Sequence, residues 1–217
     1  MVQRLKVDKV AMLLYVVTDR TWLGENKLSQ QVEEIVKAGA TFVQLREKEL
    51  DFDNFVKEGT ELKKITDYYK VPFVINDNIE VALAIDADGV HVGQGDLSAQ
   101  EVRTRIGDHK ILGVSAQTVE QALLAEQQGA DYIGVGAVFS TATKNDADDV
   151  SHETLKAICE AVHIPVVAIG GINEHNILQL RDSKVDGVAI ISAIFAKSDK
   201  VAATKELLEL SKIMVRH

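Results

Sequence analysis

Short apolar runs alternate with longer amphipathic segments along the whole chain. Eight of the apolar runs are rich in β-branched residues, which favour strands. The predicted strands cover residues 12–17, 41–45, 73–75, 89–92, 111–114, 132–135, 166–169 and 187–191. The segments that follow them have helical periodicity, and the predicted helices cover residues 30–37, 51–69, 79–85, 99–106, 119–128, 152–162, 174–180 and 201–215. Strands and helices that alternate at these lengths predict a parallel sheet.

Residues at the predicted helix ends agree with this assignment. The sequences Ser98-x-x-Glu101 and Thr118-x-x-Gln121 are capping boxes, in which side chains satisfy backbone N–H groups at the start of a helix. Asn173 is expected to cap the helix that follows the seventh strand. These local signals support the alternation of strands and helices without depending on hydrophobicity.

A four-fold repeat indicates how the strands are arranged. Segments that begin at residues 40, 87, 130 and 185 share an Ala or Val, then an Asp or Thr, then an apolar run. Each interval between them contains one further strand and two helices, so four units give eight strands, and closing the sheet into a barrel removes every exposed edge. The sequence therefore predicts an α/β protein of the (β/α)8 TIM-barrel class, with a single domain over residues 1–217. A doubly wound open sheet is the alternative.

Composition narrows the functional classes. The chain has 217 residues and a formal net charge of −9, so a nucleic-acid partner is not expected, because phosphate backbones require a positive protein surface. No membrane span or signal peptide is expected, since no stretch of the sequence is apolar enough. Cys159 is the single cysteine, which excludes an intrachain disulfide and is typical of a cytoplasmic protein.

Candidate chemistry lies where the strands end. In (β/α)8 barrels the active site is built at the carboxyl ends of the strands. Every predicted strand from the second to the eighth is followed by small or polar residues, at 44–48, 76–77, 91–96, 113–115, 134–144, 169–172 and 191–192. Because these ends share one rim, the sequence predicts a polar site there.

Two stretches of this rim suit phosphate groups. Gly171 follows strand seven and Ser192 follows strand eight, which is the usual position of a barrel phosphate site. The loop after strand six carries two threonine hydroxyls and the ammonium group of Lys144, which are a hydrogen-bond donor set for phosphate. The alternatives are a tight turn at the glycines and a solvated surface loop after strand six.

A pair of carboxylates suggests a metal. Asp77 and Asp96 follow neighbouring strands, and two carboxylates in one pocket repel each other unless a cation or a proton lies between them. Mg²⁺ prefers such oxygen ligands together with substrate phosphates. Facing them are Arg46, Lys48 and Lys144, so the sequence predicts a metal-bound diphosphate. The alternatives are turn or helix-capping roles for the aspartates, and ion pairs with neighbouring glutamates for Arg46 and Lys48.

Seven motifs together resemble those of the thiamine-phosphate synthase family, in order and spacing. They lie at residues 44–48, 75–77, 91–96, 113–115, 139–144, 168–172 and 191–194. The resemblance implies a cytoplasmic transferase of thiamine biosynthesis with a Mg²⁺ cofactor, and it suggests a homodimer. Such an enzyme joins hydroxymethylpyrimidine diphosphate to a thiazole phosphate or its carboxylated form. The products are thiamine phosphate and pyrophosphate, and the mechanism is dissociative, with pyrophosphate leaving first.

The resemblance also implies roles for individual residues. The pyrimidine diphosphate is expected to contact Gln44, Leu45, Arg46, Glu47, Lys48, Asn76, Ser115 and Lys144. Of these, the catalytic residues are expected to be Arg46, Lys48, Ser115 and Lys144. The thiazole phosphate is expected to contact Thr141, Ala142, Thr143, Gly171, Ile191 and Ser192, and Mg²⁺ is expected to bind Asp77 and Asp96.

Some positions depart from the family pattern and keep other interpretations open. Ala137 and Ser140 stand where proline is common, and Gln117 stands where histidine is common. The loop over residues 140–150 is long for a barrel loop and is a candidate lid. One alternative is a thiazole tautomerase on the same barrel, which transfers protons and needs no metal pair. Another is a non-catalytic protein that binds thiamine phosphate.

Overall fold

The computed structural model describes residues 7–140 and 150–216, and its centre is a closed barrel of eight parallel strands. Each strand pairs with the next in sequence, and β8 pairs with β1. The strands are β1 Leu14–Val17, β2 Phe42–Leu45, β3 Phe73–Asn76, β4 Gly89–Val92, β5 Ile111–Ala116, β6 Tyr132–Val135, β7 Val166–Ile169 and β8 Gly187–Ile190. The predicted (β/α)8 class is confirmed, and the open-sheet alternative is wrong.

Helices surround the barrel. The α-helices are α1 Leu28–Ala38, α2 Phe52–Tyr69, α3 Ile79–Ala84, α4 Ala99–Ile106, α5 Val119–Gln127, α6 His152–Ala161, α7 Ser192–Phe195 and α8 Lys200–Met214. Among the described residues, three 3-10 helices cover Lys9–Met12, Arg20–Trp22 and Ile177–Ser183. Within the described residues, no helix is both long enough and apolar enough to cross a membrane.

The predicted helix over residues 174–180 is wrong. The chain forms a turn there and then a 3-10 helix that begins at Ile177, with Asn176 rather than Asn173 at its N-terminal cap. The Asn176 side chain accepts a hydrogen bond from the N–H of Asn173 at 2.8 Å and donates one to the carbonyl of Gly171 at 2.9 Å. These local bonds compete with the helical ones, which explains the late start.

The two predicted capping boxes have different outcomes. Ser98 and Glu101 form a complete box at the start of α4. At the start of α5, Thr118 caps the N–H of Gln121, but the Gln121 side chain accepts from the N–H of Gln117 at 2.7 Å. A complete box would also need the Gln121 side chain to accept from the N–H of Thr118. That half of the second prediction is wrong, because Gln121 accepts instead from Gln117, the residue before Thr118.

The strands separate two apolar layers. Side chains alternate along each strand, so residues such as Val43 and Ile133 pack against the helices while their neighbours point inward. The interior holds the aromatic rings of Tyr15, Phe42 and Tyr132 among aliphatic side chains, with Tyr15 and Phe42 centroids 4.6 Å apart and Tyr15 and Tyr132 centroids 5.7 Å apart. The hydroxyl groups of Tyr15 and Tyr132 therefore lie inside the barrel.

The four-fold repeat has a structural cause. The second residue of each repeat accepts a hydrogen bond from a backbone N–H group at the amino end of an odd-numbered strand. The acceptors are Thr41, Asp88, Asp131 and Asp186, at 2.8, 2.8, 2.9 and 2.9 Å from the nitrogens of Leu14, Phe73, Leu112 and Val166. These bonds pin β1, β3, β5 and β7 at the end of the barrel away from the predicted site, where residues serve stability.

Candidate active site

A cavity of about 480 Å³ opens at the carboxyl ends of the strands. Ten residues that the sequence analysis assigned to the site line it. They are Gln44, Arg46, Lys48, Asn76, Asp77, Asp96, Ser115, Gly171, Ile191 and Ser192. The structure therefore brings together residues from six strand ends that are far apart in sequence.

Two predicted residues have side chains outside the cavity. Leu45 is fully buried in the layer between the strands and the helices. The Glu47 side chain is paired with Arg20, which extends from the loop after β1. The period of two that directs Gln44, Arg46 and Lys48 inward directs these two side chains outward. Contact between these residues and substrate stays a prediction.

The loop after β6 falls outside the described residues. Thr141, Ala142, Thr143 and Lys144 lie in this part of the chain, as does nearly all of the candidate lid over residues 140–150. Their roles stay predictions that rest on the sequence.

Lys48, Asp77 and Asp96 form a charged group at one side of the cavity. The Lys48 ammonium lies 3.0 Å from Oδ2 of Asp77, so its partner is this carboxylate rather than a neighbouring glutamate. The N–H of Gly93 donates to Oδ2 of Asp96 at 2.7 Å. Burial raises the pKa of Asp96, and the adjacent Asp77 carboxylate raises it further. Two close carboxylates with one shared ammonium are an oxygen-rich set that suits a divalent cation.

Asp77 also has an unusual backbone conformation. Its φ of 61° lies in the left-handed region, which few residues other than glycine adopt. The Asp77 N–H donates to the carbonyl of His91 at 2.8 Å, which ties the end of β3 to β4. This conformation holds the carboxylate at the cavity, and such strained residues cluster at functional sites.

Arg46 contributes a cation that is available to a ligand. Its backbone N–H donates to Oγ1 of Thr18 at 3.0 Å, which anchors the residue to the loop after β1. Its guanidinium makes no ion pair with any residue in the ranges 7–140 and 150–216. A planar guanidinium with five N–H donors binds phosphate oxygens in pairs, so this side chain suits an anionic substrate.

Gly171 provides a close backbone approach at the opposite side of the cavity. Its φ of 65° is left-handed, and a Cβ atom there would lie 2.6 Å from the carbonyl oxygen of Ser140. Glycine is therefore required at this position for two separate reasons. The nearby Ser192 begins α7 and also lines the cavity.

Comparison with known proteins identifies the family. The family model described as thiamine monophosphate synthase matches residues 14–194. The chain belongs to this family. A thiamine-phosphate synthase from Clostridium tetani is 51% identical over 194 residues, which cover 89% of this chain and 93% of that protein. One from Ruminiclostridium cellulolyticum is 50% identical over 203 residues, which cover 94% and 97%.

A solved structure agrees with the sequence relatives. Thiamine phosphate pyrophosphorylase from Pyrococcus furiosus superposes with a TM-score of 0.88 at 39% sequence identity, covering 95% of this chain and 98% of that one. As a member of the thiamine monophosphate synthase family, the chain is a transferase of thiamine biosynthesis. The predicted family and enzyme class are confirmed.

Other residues join the site although the sequence analysis named none of them as a substrate or metal contact. Tyr15, His91 and Gln94 line the cavity of this thiamine monophosphate synthase family member. The Gln94 amide donates to the carbonyl of Ser115 at 2.6 Å. Alternation along β1 and β4 was the available signal, because it places Tyr15 and His91 on inward positions.

Exchange of Asp96 for asparagine is expected to abolish stabilisation by Mg²⁺. At about ten times its Kd, the metal should stabilise the wild-type protein by about 1.4 kcal/mol and raise its melting temperature by roughly 3–5 °C. Asparagine keeps an acceptor for the Gly93 N–H but removes the charge. The metal-free Asp96→Asn protein should melt no lower than wild type, because one of two repelling carboxylates is gone. Thermal unfolding with and without Mg²⁺ measures both effects.

Asp108→Asn is the matched control for this experiment. Asp108 is exposed and lies before β5, at the other end of the barrel. This variant should respond to Mg²⁺ as wild type does. If Mg²⁺ stabilised wild type and Asp96→Asn equally, Asp96 would not be a ligand of the metal.

An ion cluster outside the cavity supports its wall. The Arg20 Nε lies 2.8 Å from both carboxylate oxygens of Glu47, and its terminal nitrogen contacts Glu58 on α2. The Glu47 side chain is only 3% exposed. Burial raises the pKa of Glu47 to about 7, against the opposing effect of Arg20. The cluster joins the loop after β1 to α2 and fixes the residue between Arg46 and Lys48.

Exchange of Glu47 for glutamine is expected to change how stability depends on pH. Because the Glu47 pKa is raised in the folded state, its favourable contribution is complete below the usual carboxyl pKa and is lost as the pH rises through about 7. The variant should therefore gain about 1 kcal/mol relative to wild type between pH 5 and pH 8, since water around the partner Arg20, which is 39% exposed, screens part of the full effect. Urea unfolding across this range measures the difference.

Glu160→Gln is the control for the pH experiment. Glu160 is paired with Lys184 on the surface, and that ammonium lowers its pKa. Its substitution should produce no gain between pH 5 and pH 8. A flat difference between Glu47→Gln and wild type would show that Glu47 is ionised at all of these pH values.

Proposed function

We propose that this enzyme condenses hydroxymethylpyrimidine diphosphate with a thiazole phosphate, plain or carboxylated, and releases thiamine phosphate and pyrophosphate, with CO₂ as a further product from the carboxylated thiazole. The observation that carries the proposal is one cavity whose lining has charged side chains on one side and a glycine turn with a serine hydroxyl on the other. Arg46, Lys48 and the two aspartates lie on one side, and Gly171 and Ser192 lie on the other. A diphosphate and a monophosphate can therefore occupy opposite sides, with the reacting carbon and nitrogen between them.

The residues of the first side suit departure of a diphosphate. Breaking the bond between the methylene carbon and oxygen leaves the electron pair on pyrophosphate and a positive charge on the pyrimidinylmethyl group. Donors from Arg46 and Lys48 become stronger as negative charge grows on the leaving oxygen, which lowers the barrier. Mg²⁺ held by Asp77 and Asp96 would neutralise further charge on the diphosphate. Lys144 is proposed to assist from the loop after β6.

The second half of the reaction needs no protein base. The thiazole nitrogen has its own lone pair, which forms the new carbon–nitrogen bond with the cationic methylene group. His91 has hydrogen-bonding partners at both ring nitrogens, Tyr132 and Ser115, and Cys159 lies on α6 outside the cavity. The rate is then determined by positioning the two substrates and by electrostatics.

Positioning of the thiazole phosphate is proposed for the second side. Gly171 and Ser192 both line the cavity, where backbone N–H groups and the Ser192 hydroxyl can donate to phosphate oxygens. Ile191 lines the cavity beside Ser192 and offers apolar contact to a ring. Thr141, Ala142 and Thr143 are proposed to complete this half.

The proposal is tested by identifying the product. Purified enzyme is incubated with both substrates and Mg²⁺, and the mixture is analysed by mass spectrometry for thiamine phosphate. Parallel reactions omit one substrate at a time, and no thiamine phosphate should form in them. Isomerisation of the carboxylated thiazole phosphate alone, without condensation, would instead identify a tautomerase. Binding of thiamine phosphate with no turnover would identify a non-catalytic protein.

A further inference from the structure

Five side chains form an unbroken hydrogen-bond chain across the interior of the barrel. The Gln44 amide nitrogen donates to the Tyr15 hydroxyl, which lies 2.7 Å from the Tyr132 hydroxyl. The Tyr132 oxygen lies 2.9 Å from Nδ1 of His91, and Nε2 of His91 lies 2.9 Å from Oγ of Ser115. Gln44 and Ser115 both line the cavity, so the chain joins two proposed substrate contacts through the barrel interior.

The chain has a single direction. Tyr15 and Tyr132 are almost fully buried, and burial raises the pKa of both hydroxyls, so each keeps one proton to donate. With Tyr15 accepting from Gln44, the arrangement that gives each buried hydroxyl proton an acceptor has Tyr15 donating to Tyr132 and Tyr132 donating to Nδ1 of His91. His91 is then protonated at Nε2 and donates to Ser115. Reversing the Gln44 amide would reverse every bond in the chain.

The barrel leaves space for this arrangement at one position on β5. A Cβ atom at Gly113 would lie 2.1 Å from the Tyr132 ring, 2.3 Å from its hydroxyl and 2.5 Å from Nδ1 of His91. Any side chain at residue 113 would therefore separate the two groups. Glycine at this position is explained by the hydrogen bond between Tyr132 and His91.

We infer that this hydrogen-bond chain sets the hydrogen-bonding polarity of the cavity floor, which is formed by Gln44 and Ser115. Polarity here means which of the two residues presents an acceptor to a ligand and which presents a donor. Oε1 of Gln44 accepts no hydrogen bond from the part of the chain that the structure describes, so it is an acceptor for a ligand. The Ser115 hydroxyl accepts from His91, so its proton is directed to a ligand. The floor matches a heteroaromatic ring that offers an amino group to Gln44 and a ring nitrogen to Ser115. This inference rests on the proposed function, since it explains how the pyrimidine is recognised.

Tyr15, Tyr132 and His91 are therefore positioning residues. They act through Gln44 and Ser115 and fix which atoms of these two residues face the ligand. A ring with a 4-oxo group and a protonated ring nitrogen presents the opposite pattern, and it leaves both floor groups unpaired. A buried polar group without a partner is costly, so the floor should reject that ring.

The polarity is tested first in the free protein. Nitrogen-15 NMR of the imidazole side chains reports the tautomer of each histidine, and the His91 signals are assigned by their loss in His91→Gln. The expected result is a neutral His91 with its proton on Nε2. A proton on Nδ1, or on both nitrogens, overturns the inference. This measurement needs no substrate, so it stands or fails separately from the proposed function.

The second test uses Tyr132→Phe, which removes one hydroxyl and keeps the ring. In the wild type, pyrophosphate release should favour the 4-amino pyrimidine diphosphate over its 4-oxo analogue. In the variant the ratio of kcat/KM values for the two should fall at least about tenfold, because Nδ1 of His91 loses the Tyr132 hydroxyl that donates to it. The Nε2-protonated population of His91 should also decrease.

Tyr69→Phe is the matched control for this substitution. The Tyr69 hydroxyl donates to Glu33 at 3.1 Å on the outer surface of the helices, far from the cavity floor. Its loss should leave both the ratio and the His91 signals unchanged. A Tyr132→Phe enzyme with lower activity but an unchanged ratio has lost only packing, and this result overturns the inference. If the wild-type enzyme turned over neither the 4-amino nor the 4-oxo pyrimidine diphosphate, the proposed function would be contradicted. The NMR measurement of the His91 tautomer would then be the test of the inference.

Discussion

Replacement of Arg46 by glutamine is expected to lower kcat/KM for pyrophosphate release by about 10²- to 10³-fold. The guanidinium lines the cavity and has no ion pair with the described residues, so its charge is available to the proposed diphosphate. Two charge-assisted hydrogen bonds that strengthen in the transition state account for a loss of this size. The melting temperature should stay near that of wild type, because no internal pair is broken.

Arg105→Gln is the matched control for Arg46. Arg105 is exposed on α4 and does not line the cavity. The same chemical change there should leave kcat/KM within about twofold of wild type, as surface charges contribute little. Steady-state kinetics of the two variants with varied pyrimidine diphosphate would make the comparison. Equal activity of Arg46→Gln and Arg105→Gln would place the diphosphate elsewhere.

Replacement of Asp131 by alanine is expected to lower the free energy of unfolding by about 3–5 kcal/mol. The Asp131 side chain is 4% exposed and contacts the Arg103 guanidinium, which is itself 12% exposed. It also accepts the N–H of Leu112 at 2.9 Å. Without the carboxylate, a buried cation and a buried backbone donor lose this acceptor, which is the costly way to break an ion pair.

The equivalent position in another repeat provides the comparison. Asp186 accepts the N–H of Val166 in the same manner, but its partner Lys9 is 67% exposed. Asp186→Ala should therefore cost only about 1–2 kcal/mol, since water can replace the acceptor for the lysine. Urea unfolding of the two variants measures the difference. Similar losses would mean that the ion pair with Arg103 adds nothing to the repeated backbone contact.

The barrel could be predicted because its signals are local and repeated. The alternation between strand-like and helical periods of the apolar residues predicts strands and helices, and the four-fold repeat predicts that there are eight strands. The sequence shows that Asp88 and Asp131 occupy the same position in the repeat, but it does not show why an acidic residue recurs there. Only the fold shows that these side chains hold the amino ends of neighbouring strands.

Local competition explains the errors in the helices and strands. The predicted first strand begins too early, because the Asp8 side chain accepts from the N–H of Val10 and starts a 3-10 helix over Lys9–Met12. Asn176 delays the helix after β7 in a similar way. Hydrophobic periodicity contains no information about such bonds between side chains and backbone.

The candidate site could be predicted residue by residue but not as a network. The period-two alternation predicted that the Arg46 and Lys48 side chains share one face, and both line the same cavity. The hydrogen-bond chain from Gln44 to Ser115 uses residues from five strands, and its partners are up to 117 positions apart. Such a chain depends on the register of a closed barrel, which one sequence does not specify.

The most direct test of the account is the rate of pyrophosphate release by the wild-type enzyme. The rate is measured with both substrates and Mg²⁺, and again after a chelator has removed the metal. The account predicts rapid release that requires both substrates, stops on chelation and returns when Mg²⁺ is restored. No release in the presence of both substrates and Mg²⁺ would contradict the synthase function, and release that is unaffected by chelation would contradict the metal site at Asp77 and Asp96.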